Sequence, residues 1–95
     1  MRLEIKAEAR GDLKDIRDFS AAEFGPEIAL NYLRDIRSSF ERIRDFPGIG
    51  EERAISIPPI RVLPCRSHRI YYRADENAVT IIRILHKARN ASRMF

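Results

Sequence analysis

The residues best equipped for chemistry are gathered in the last third of the chain. From Arg61 onward stand Arg61, Arg66, Arg69, Arg73, Arg83, Lys87, Arg89 and Arg93, with His68, His86, Tyr71 and Tyr72 among them. Cationic side chains interleaved with aromatic rings suit two kinds of anionic partner. One is RNA, held at its phosphates and stacked bases; the other is a protein segment rich in carboxylates. Cutting RNA without a metal needs more: a base for the 2′-hydroxyl, an acid for the leaving oxygen and cations for the charge of the phosphorane. The cations are present, and His86 or Glu51 is available as a base, although spacing singles out neither.

Other chemistries find little support. His68, His86 and Cys65 are the soft metal ligands of the chain, and no two of them have ligand spacing, so neither a metal nor a cofactor is expected. No glycine-rich phosphate loop of recognised spacing occurs. Cys65 reads as an ordinary thiol. A single cysteine forms no internal disulfide, which points to a reducing, cytoplasmic setting. The longest strongly apolar run, AVTIIRIL, is far too short to span a bilayer, and no membrane association is expected.

Charge is unevenly divided. Residues 1–60 carry ten Lys/Arg against twelve Asp/Glu, a balance of −2, whereas residues 61–95 carry eight against two, a balance of +6, within a whole-chain charge of +4. A basic end on a mildly acidic scaffold suggests a localised anionic partner, with a solvated basic face as the plainer alternative.

The elements that must position these groups follow from periodicity. Ninety-five residues make one domain. Arg2 to Lys6 alternates as a short strand, with Leu3 and Ile5 on one side. From Ala7 the period lengthens, and Ala9, Leu13, Ile16, Phe19 and Phe24 predict an amphipathic helix. Gly25-Pro26 ends it and begins another, so the two form an antiparallel hairpin. Ala29, Tyr32, Leu33, Ile36, Phe40, Ile43 and Phe46 predict the core stripe of the second helix, which Pro47-Gly48 stops.

A loop is expected from Pro47 to Pro59, with Ala54–Ile57 as its one extended piece. Strands then follow from Ile60, from Arg69 to Arg73, and from Val79 to Leu85. The last is apolar on both sides, as in a strand covered on both faces. Strict alternation places Val79, Ile81, Arg83 and Leu85 on one face and Ile82 and Ile84 on the other. An arginine inside such a run must find an acceptor, for which Asp75 or the carbonyls of the tail are candidates, or open onto a cleft. With the first strand beside the last, the expectation is an α+β fold, β-α-α-β-β-β: a small antiparallel-rich sheet with an N-terminal helical hairpin on one face, spanning residues 1–95.

Four stretches carry a family resemblance. They are DLKDIRDF in the first helix, G-P-x-x-A-x-x-Y at the start of the second, F-x-x-I-x-x-F-P-x-x-G at its end, and the run HRIYYRADENAVTIIRILHKARN. Together they resemble the ParE/RelE toxin superfamily. Arg83, Ile84, Leu85, His86, Arg89 and Asn90 resemble the R-[IV]-L-H-x-x-R-[DN] ending of the ParE branch.

The resemblance implies the toxin of a type II toxin–antitoxin pair of the plasmid-stabilisation kind. Its partner would be a small ParD-like antitoxin whose C-terminal segment lies helix-in-groove on the toxin and sometimes adds a strand. ParE members are implied to inhibit DNA gyrase by binding; RelE members cleave mRNA on the ribosome with a cluster of lysines and arginines and often a tail tyrosine. Here no tyrosine follows Tyr72 and no lysine lies between Lys14 and Lys87, which favours the ParE branch and a protein that is not an enzyme. The implied gyrase contacts are Arg83, His86, Arg89 and Arg93, and the antitoxin-facing positions Tyr32, Ile36, Phe40 and Arg69. A RelE-like nuclease would instead use Arg61, Arg83 and His86, and an inactive member would only bind its antitoxin.

Overall fold

The computed structural model describes all residues from Met1 to Phe95. Strand β1 (Arg2–Ile5) leads into helix α1 (Ala7–Phe24), and α2 (Pro26–Asp45) returns antiparallel to it. Gly25 makes the reversal at φ 92°, a left-handed value that glycine adopts without strain. A 3-10 turn (Pro47–Ile49) precedes β2 (Glu51–Arg53), β3 (Ile60–Cys65), β4 (His68–Ala74) and β5 (Ala78–His86), and a second 3-10 turn (Ala91–Arg93) closes the chain.

The five strands form one sheet in the order β1-β5-β4-β3-β2, with β1 parallel to β5 and every other pair antiparallel. The expected α+β architecture is therefore present, with one additional strand. The extended piece of the Pro47–Pro59 loop is Glu51–Arg53, paired with Ile60–Val62, and the expected Ala54–Ile57 piece is not a strand but runs into a bend over residues 55–58. Three charged residues in a row hid this strand, because a short exposed edge has no apolar alternation to display.

One face of the sheet is covered by the hairpin. Ala9, Ile16, Ile36, Phe40 and Ile43 pack there on Leu63, Ile70, Tyr72, Val79, Ile81 and Ile84. Ile36 and Phe40, expected to face a partner, are 0% and 2% exposed and belong to this core. Uncovering either would forfeit about 1.5–3 kcal/mol of apolar burial, so no partner reaches them while the hairpin sits on the sheet. On α1 the buried spacing runs Ala9, Ile16, Ser20. Phe19 and Phe24, read as part of that stripe, are 63% and 60% exposed.

The opposite face carries a second, smaller core of Ile60, Val62, Tyr71, Ile82 and Leu85, covered by Ile55, Ala91, Met94 and Phe95. The Phe95 ring lies 5.3 Å from that of Tyr71. β5 serves both cores because its pairing with β4 slips: Tyr71 faces Arg83 while Tyr72 faces Ile81, leaving Ile82 as an extra residue. The bulge reverses the alternation beyond it. Ile84 therefore joins Val79 and Ile81 against the helices, and Leu85 joins Ile82 on the other side, opposite to the strict alternation expected.

Candidate functional site

β1 is shorter than its neighbour. Its ladder with β5 ends where Lys6 N donates to Ile81 O at 3.0 Å, and beyond that point the edge of β5 meets α1. Asp12, on α1, fills the gap. One oxygen, Oδ2, accepts from Ile84 N at 2.8 Å and from Arg83 Nε at 2.8 Å; the other, Oδ1, accepts from Arg83 Nη2 at 2.8 Å. The acceptor that Arg83 requires is thus Asp12, and neither Asp75 nor the tail. Asp75 instead accepts from Asn77 N and Ala78 N in the β4–β5 turn, bonds that hold its carboxyl below the usual range. The side chains of Arg83 and Asp12 are only 20% and 11% exposed. Bonding to Asp12 pushes the Arg83 pKa further up, so the arginine is charged at every accessible pH.

The same end of the sheet carries the two histidines. His68 opens β4 and His86 closes β5 as its cross-strand partner, their rings edge-to-face at 5.4 Å. Tyr32 of α2 meets them: its Oη lies 2.6 Å from His68 Nδ1 and accepts from Ser67 N at 3.1 Å. While accepting from Ser67 N, the hydroxyl keeps its own proton available to donate to Nδ1 of a neutral His68. Burial, and then the neighbouring His86, push the His68 pKa below its usual 6.5, with Asp12 opposing. Arg66, in the two-residue β3–β4 turn at φ 53°, pairs with Asp35 and sets its guanidinium 5.2 Å above the Tyr32 ring.

These groups front a divided cleft. One part, of about 210 Å3, lies between Asp12, Phe19 and Ser20 of α1 and Leu85, His86 and Arg89. The other, of about 400 Å3, extends along Phe24, Ile28, Tyr32 and Arg66, and both parts share Phe19, Ser20, His68 and His86. An apolar cleft with a few convergent polar groups is a binding feature. Exposed Phe19 and Phe24 form its rim, a role that the helix periodicity alone did not reveal.

Of the expected target contacts, His86 and Arg89 line this cleft, Arg93 is exposed on the tail, and Arg83 sits behind it on Asp12. Arg89 reaches the Met94 sulfur at 3.6 Å, and Asn90 caps the last turn by accepting from Ser92 N. Arg61 is elsewhere: it lies four residues along β3 from the level of His68 and His86, roughly 13 Å at the usual rise per residue. The set Arg61, Arg83 and His86 is not brought to one place. Of the expected antitoxin-facing residues, Tyr32 is half-buried under Arg66, and Arg69 on β4 is half-buried with no ion pair.

A further surface escaped the division of charge by sequence. On the outer side of the hairpin, Leu13, Leu30 and Leu33 floor a groove rimmed by Arg10, Lys14 and Arg17 of α1 and by Arg34 and Arg37 of α2. The net acidity of residues 1–60 concealed it. The spacing 10, 14, 17 on one helix and 34, 37 on the next was the signal available.

No cluster of three or more His, Cys, Asp or Glu side chains is placed to hold a metal ion, and no helix is long and apolar enough to cross a membrane.

Residues 3–91 match the family model described as the ParE toxin of the type II toxin–antitoxin system parDE. The chain belongs to the ParE toxin family. A curated relative, Toxin ParE1 of Caulobacter vibrioides, is 33% identical over 92% of this chain and 90% of its own length. Toxin ParE1 of Mycobacterium tuberculosis is 28% identical over 97% of this chain and 95% of its own. A solved structure from the chromosomal ParDE system of P. aeruginosa superposes with a TM-score of 0.78 at 26% identity, covering 90% of this chain and 95% of that one. This is a ParE-type toxin of a type II toxin–antitoxin system.

Within that family the quoted motifs acquire physical roles. Gly25 turns the hairpin, Ala29 is buried, and Tyr32 bonds the β3–β4 turn and His68. Gly50, the last position of F-x-x-I-x-x-F-P-x-x-G, lies against Tyr72, whose Oη accepts from Gly50 N at 2.8 Å and donates to Pro47 O at 2.7 Å.

Proposed function

We propose that this toxin inhibits DNA gyrase by binding it, through the cleft at the open end of the β4–β5 hairpin and the cationic tail beyond it. The observation that carries the reading is the division of the charged groups. Arg83 is spent on Asp12 and Arg61 on backbone carbonyls, whereas Arg89 lines the cleft and Lys87 and Arg93 are exposed on the same C-terminal segment, none of the three in an ion pair. Exposed cations beside an apolar cleft suit recognition of an acidic protein surface. The separation of Arg61 from His86 argues against the RelE-like alternative, in which both act on one phosphate, since proton transfer requires groups within hydrogen-bond reach of the same atoms.

The resemblance supplies the target, and it also supplies the neutralising partner, a cognate ParD-like antitoxin meeting the toxin in the cytoplasm. The outer groove of the hairpin, leucine-floored with cations on both rims, suits the acidic amphipathic helix of such a partner. Purified protein added to gyrase should suppress supercoiling or accumulate cleaved DNA, and the cognate antitoxin should reverse the effect. Unchanged gyrase activity in the presence of a growth-arresting protein would remove the gyrase reading. Message cut within codons soon after induction would replace it with the ribosome-dependent one.

A further inference from the structure

The open end of the β4–β5 hairpin brings two imidazoles together. His68 and His86 are cross-strand partners with ring centroids 5.4 Å apart, and both line each part of the cleft. Their Nδ1 atoms are occupied: that of His68 lies 2.6 Å from Tyr32 Oη, and that of His86 lies 3.1 Å from Ala88 N. A backbone N–H can only donate, so Nδ1 of His86 accepts and the neutral ring carries its proton on Nε2. A neutral His68 that takes the Tyr32 proton on Nδ1 is likewise a donor through Nε2. Neither Nε2 has a hydrogen-bond partner within the chain. Such a pair does not suit a metal, because ligation through Nε2 of His86 would drive its proton onto Nδ1, against the Ala88 N–H.

Two further groups of the cleft are unspent. Ser20 is 7% exposed and lines both parts, yet its hydroxyl bonds to nothing in the chain. A buried hydroxyl left unpaired costs free energy that a ligand recovers. Arg89 has no ion pair and only the Met94 sulfur beside it, and its backbone N–H donates to His86 O at 2.9 Å. Ser20, His68, His86 and Arg89 all border the same cavity of about 210 Å3. The acids there are unequal: Asp12 spends both oxygens on Arg83 and Ile84 N, and Asp15, the one left over, opposes an anion without blocking it. The surplus is thus one of donors. Beside it stand Phe19, Phe24 and Ile28, each at least half exposed. Donors next to apolar walls fit a carboxylate carried on an apolar body.

We propose that the cleft receives an acidic side chain of the protein target, its carboxylate held at the histidine pair with Ser20 and Arg89 as flanking donors, and a neighbouring apolar residue of the target seated against Phe19, Phe24 and Ile28. That the target is gyrase rests on the reading above; the chemistry of the ligand does not. Ser20 and His68 thereby become recognition residues, which the family resemblance did not single out.

The test is titration of the full-length chain with N-acetyl-glutamyl-phenylalanine amide and, separately, with its glutaminyl counterpart. The imidazole NMR signals are followed at matched ionic strength. Saturable shifts of His68 and His86 are expected with the glutamyl peptide, and binding about tenfold weaker with the glutaminyl one. The bound carboxylate should also raise the pH at which both imidazoles titrate. It acts there together with Asp12 and Asp15 of α1 and against Arg66, Arg83 and Arg89, with Tyr32 of α2 as the hydrogen-bonded neighbour. Ser20→Ala and Arg89→Gln should each weaken binding about threefold. Arg42→Gln, an exposed cation ten residues beyond Tyr32 on α2, should leave it unchanged. Equal binding of the two peptides would mean an apolar surface with no place for an acid and overturn the proposal. An equal loss in Arg42→Gln, or shifts spread evenly over the exposed cations, would mean a diffuse cationic surface and overturn it too. Acetate bound as tightly as the glutamyl peptide would mean an adventitious ion only, with the same result. Gyrase takes no part in this measurement, so the proposal and the gyrase reading fail separately.

Discussion

Asp12 and Arg83, seventy-one residues apart, are joined by two hydrogen bonds of 2.8 Å, and the same carboxylate closes the strand edge that β1 leaves open at Ile84 N. One side chain thus supports both the backbone of β5 and the anomalous arginine within it. Replacing Asp12 with Ala strands a mostly buried cation and a strand N–H together. The expected loss is about 3 kcal/mol, near the lower end for breaking a buried pair because some water reaches both groups. Urea unfolding of D12A, R83M and the double variant measures it. The double variant should be more stable than the sum of the single losses predicts, since removing both charges leaves neither unpaired.

Gly50 tests close packing in the same way. A Cβ there would stand 2.7 Å from Tyr72 Oη and 2.8 Å from its ring carbon Cε1. Gly50→Ala should cost about 1–3 kcal/mol, the usual range for overpacking. Tyr72→Phe should cost a similar amount for a different reason, leaving Gly50 N and Pro47 O without their partner. Because ring Cε1 at 2.8 Å still obstructs the added methyl once the hydroxyl is gone, Tyr72→Phe should not fully rescue Gly50→Ala, whereas Tyr72→Leu should relieve it further, short of the contact with Val62 O at 3.0 Å. Thermal melts of the three single and two double variants separate these cases.

The His68 pair gives a pH dependence of definite sign. Burial and His86 hold the His68 pKa below 6.5, so the folded protein keeps this imidazole neutral where the unfolded chain would bind a proton. The unfolded state then takes up more protons, and stability must fall with falling pH. The contribution is complete above about 6.5 and is lost as pH drops through the lowered folded value. Urea midpoints measured from neutral pH downward should show this slope. His68→Gln should flatten it, and His86→Gln should reduce it by removing the neighbouring charge.

Much of the fold was legible because its signals are local. The 3.6-residue stripe of α2, the Gly25-Pro26 reversal and the three C-terminal strands all follow from neighbouring residues. What escaped depends on distant ones. Nothing near Arg83 in sequence names Asp12, and nothing near Ile82 announces the bulge that sends Leu85 to the back face. Phe19 and Phe24 were misplaced because an aromatic at helical spacing fits a core stripe and a cleft rim equally well. Ile36 and Phe40 were assigned outward on the resemblance, although their periodicity already placed them inward. Arg83 and His86 stand three residues apart in one motif, and only the structure separates the arginine that holds the sheet from the histidine that lines the cleft.

That separation yields the prediction that bears most directly on function. If Arg89 and Arg93 touch the target, Arg89→Ala and Arg93→Ala should relieve growth arrest while leaving the melting temperature within about 2 °C, since exposed substitutions seldom cost more than about 0.5 kcal/mol. Arg83→Ala should relieve arrest too, but by a different route: it unpairs Asp12, lowers stability and reduces the amount of folded toxin. Antitoxin binding distinguishes the two. The tail variants should still bind the cognate antitoxin with unchanged affinity, because the groove formed by Leu13, Leu30 and Leu33 lies on the other side of the hairpin. Loss of antitoxin binding in Arg93→Ala would move the partner surface onto the tail and displace the gyrase contact from it.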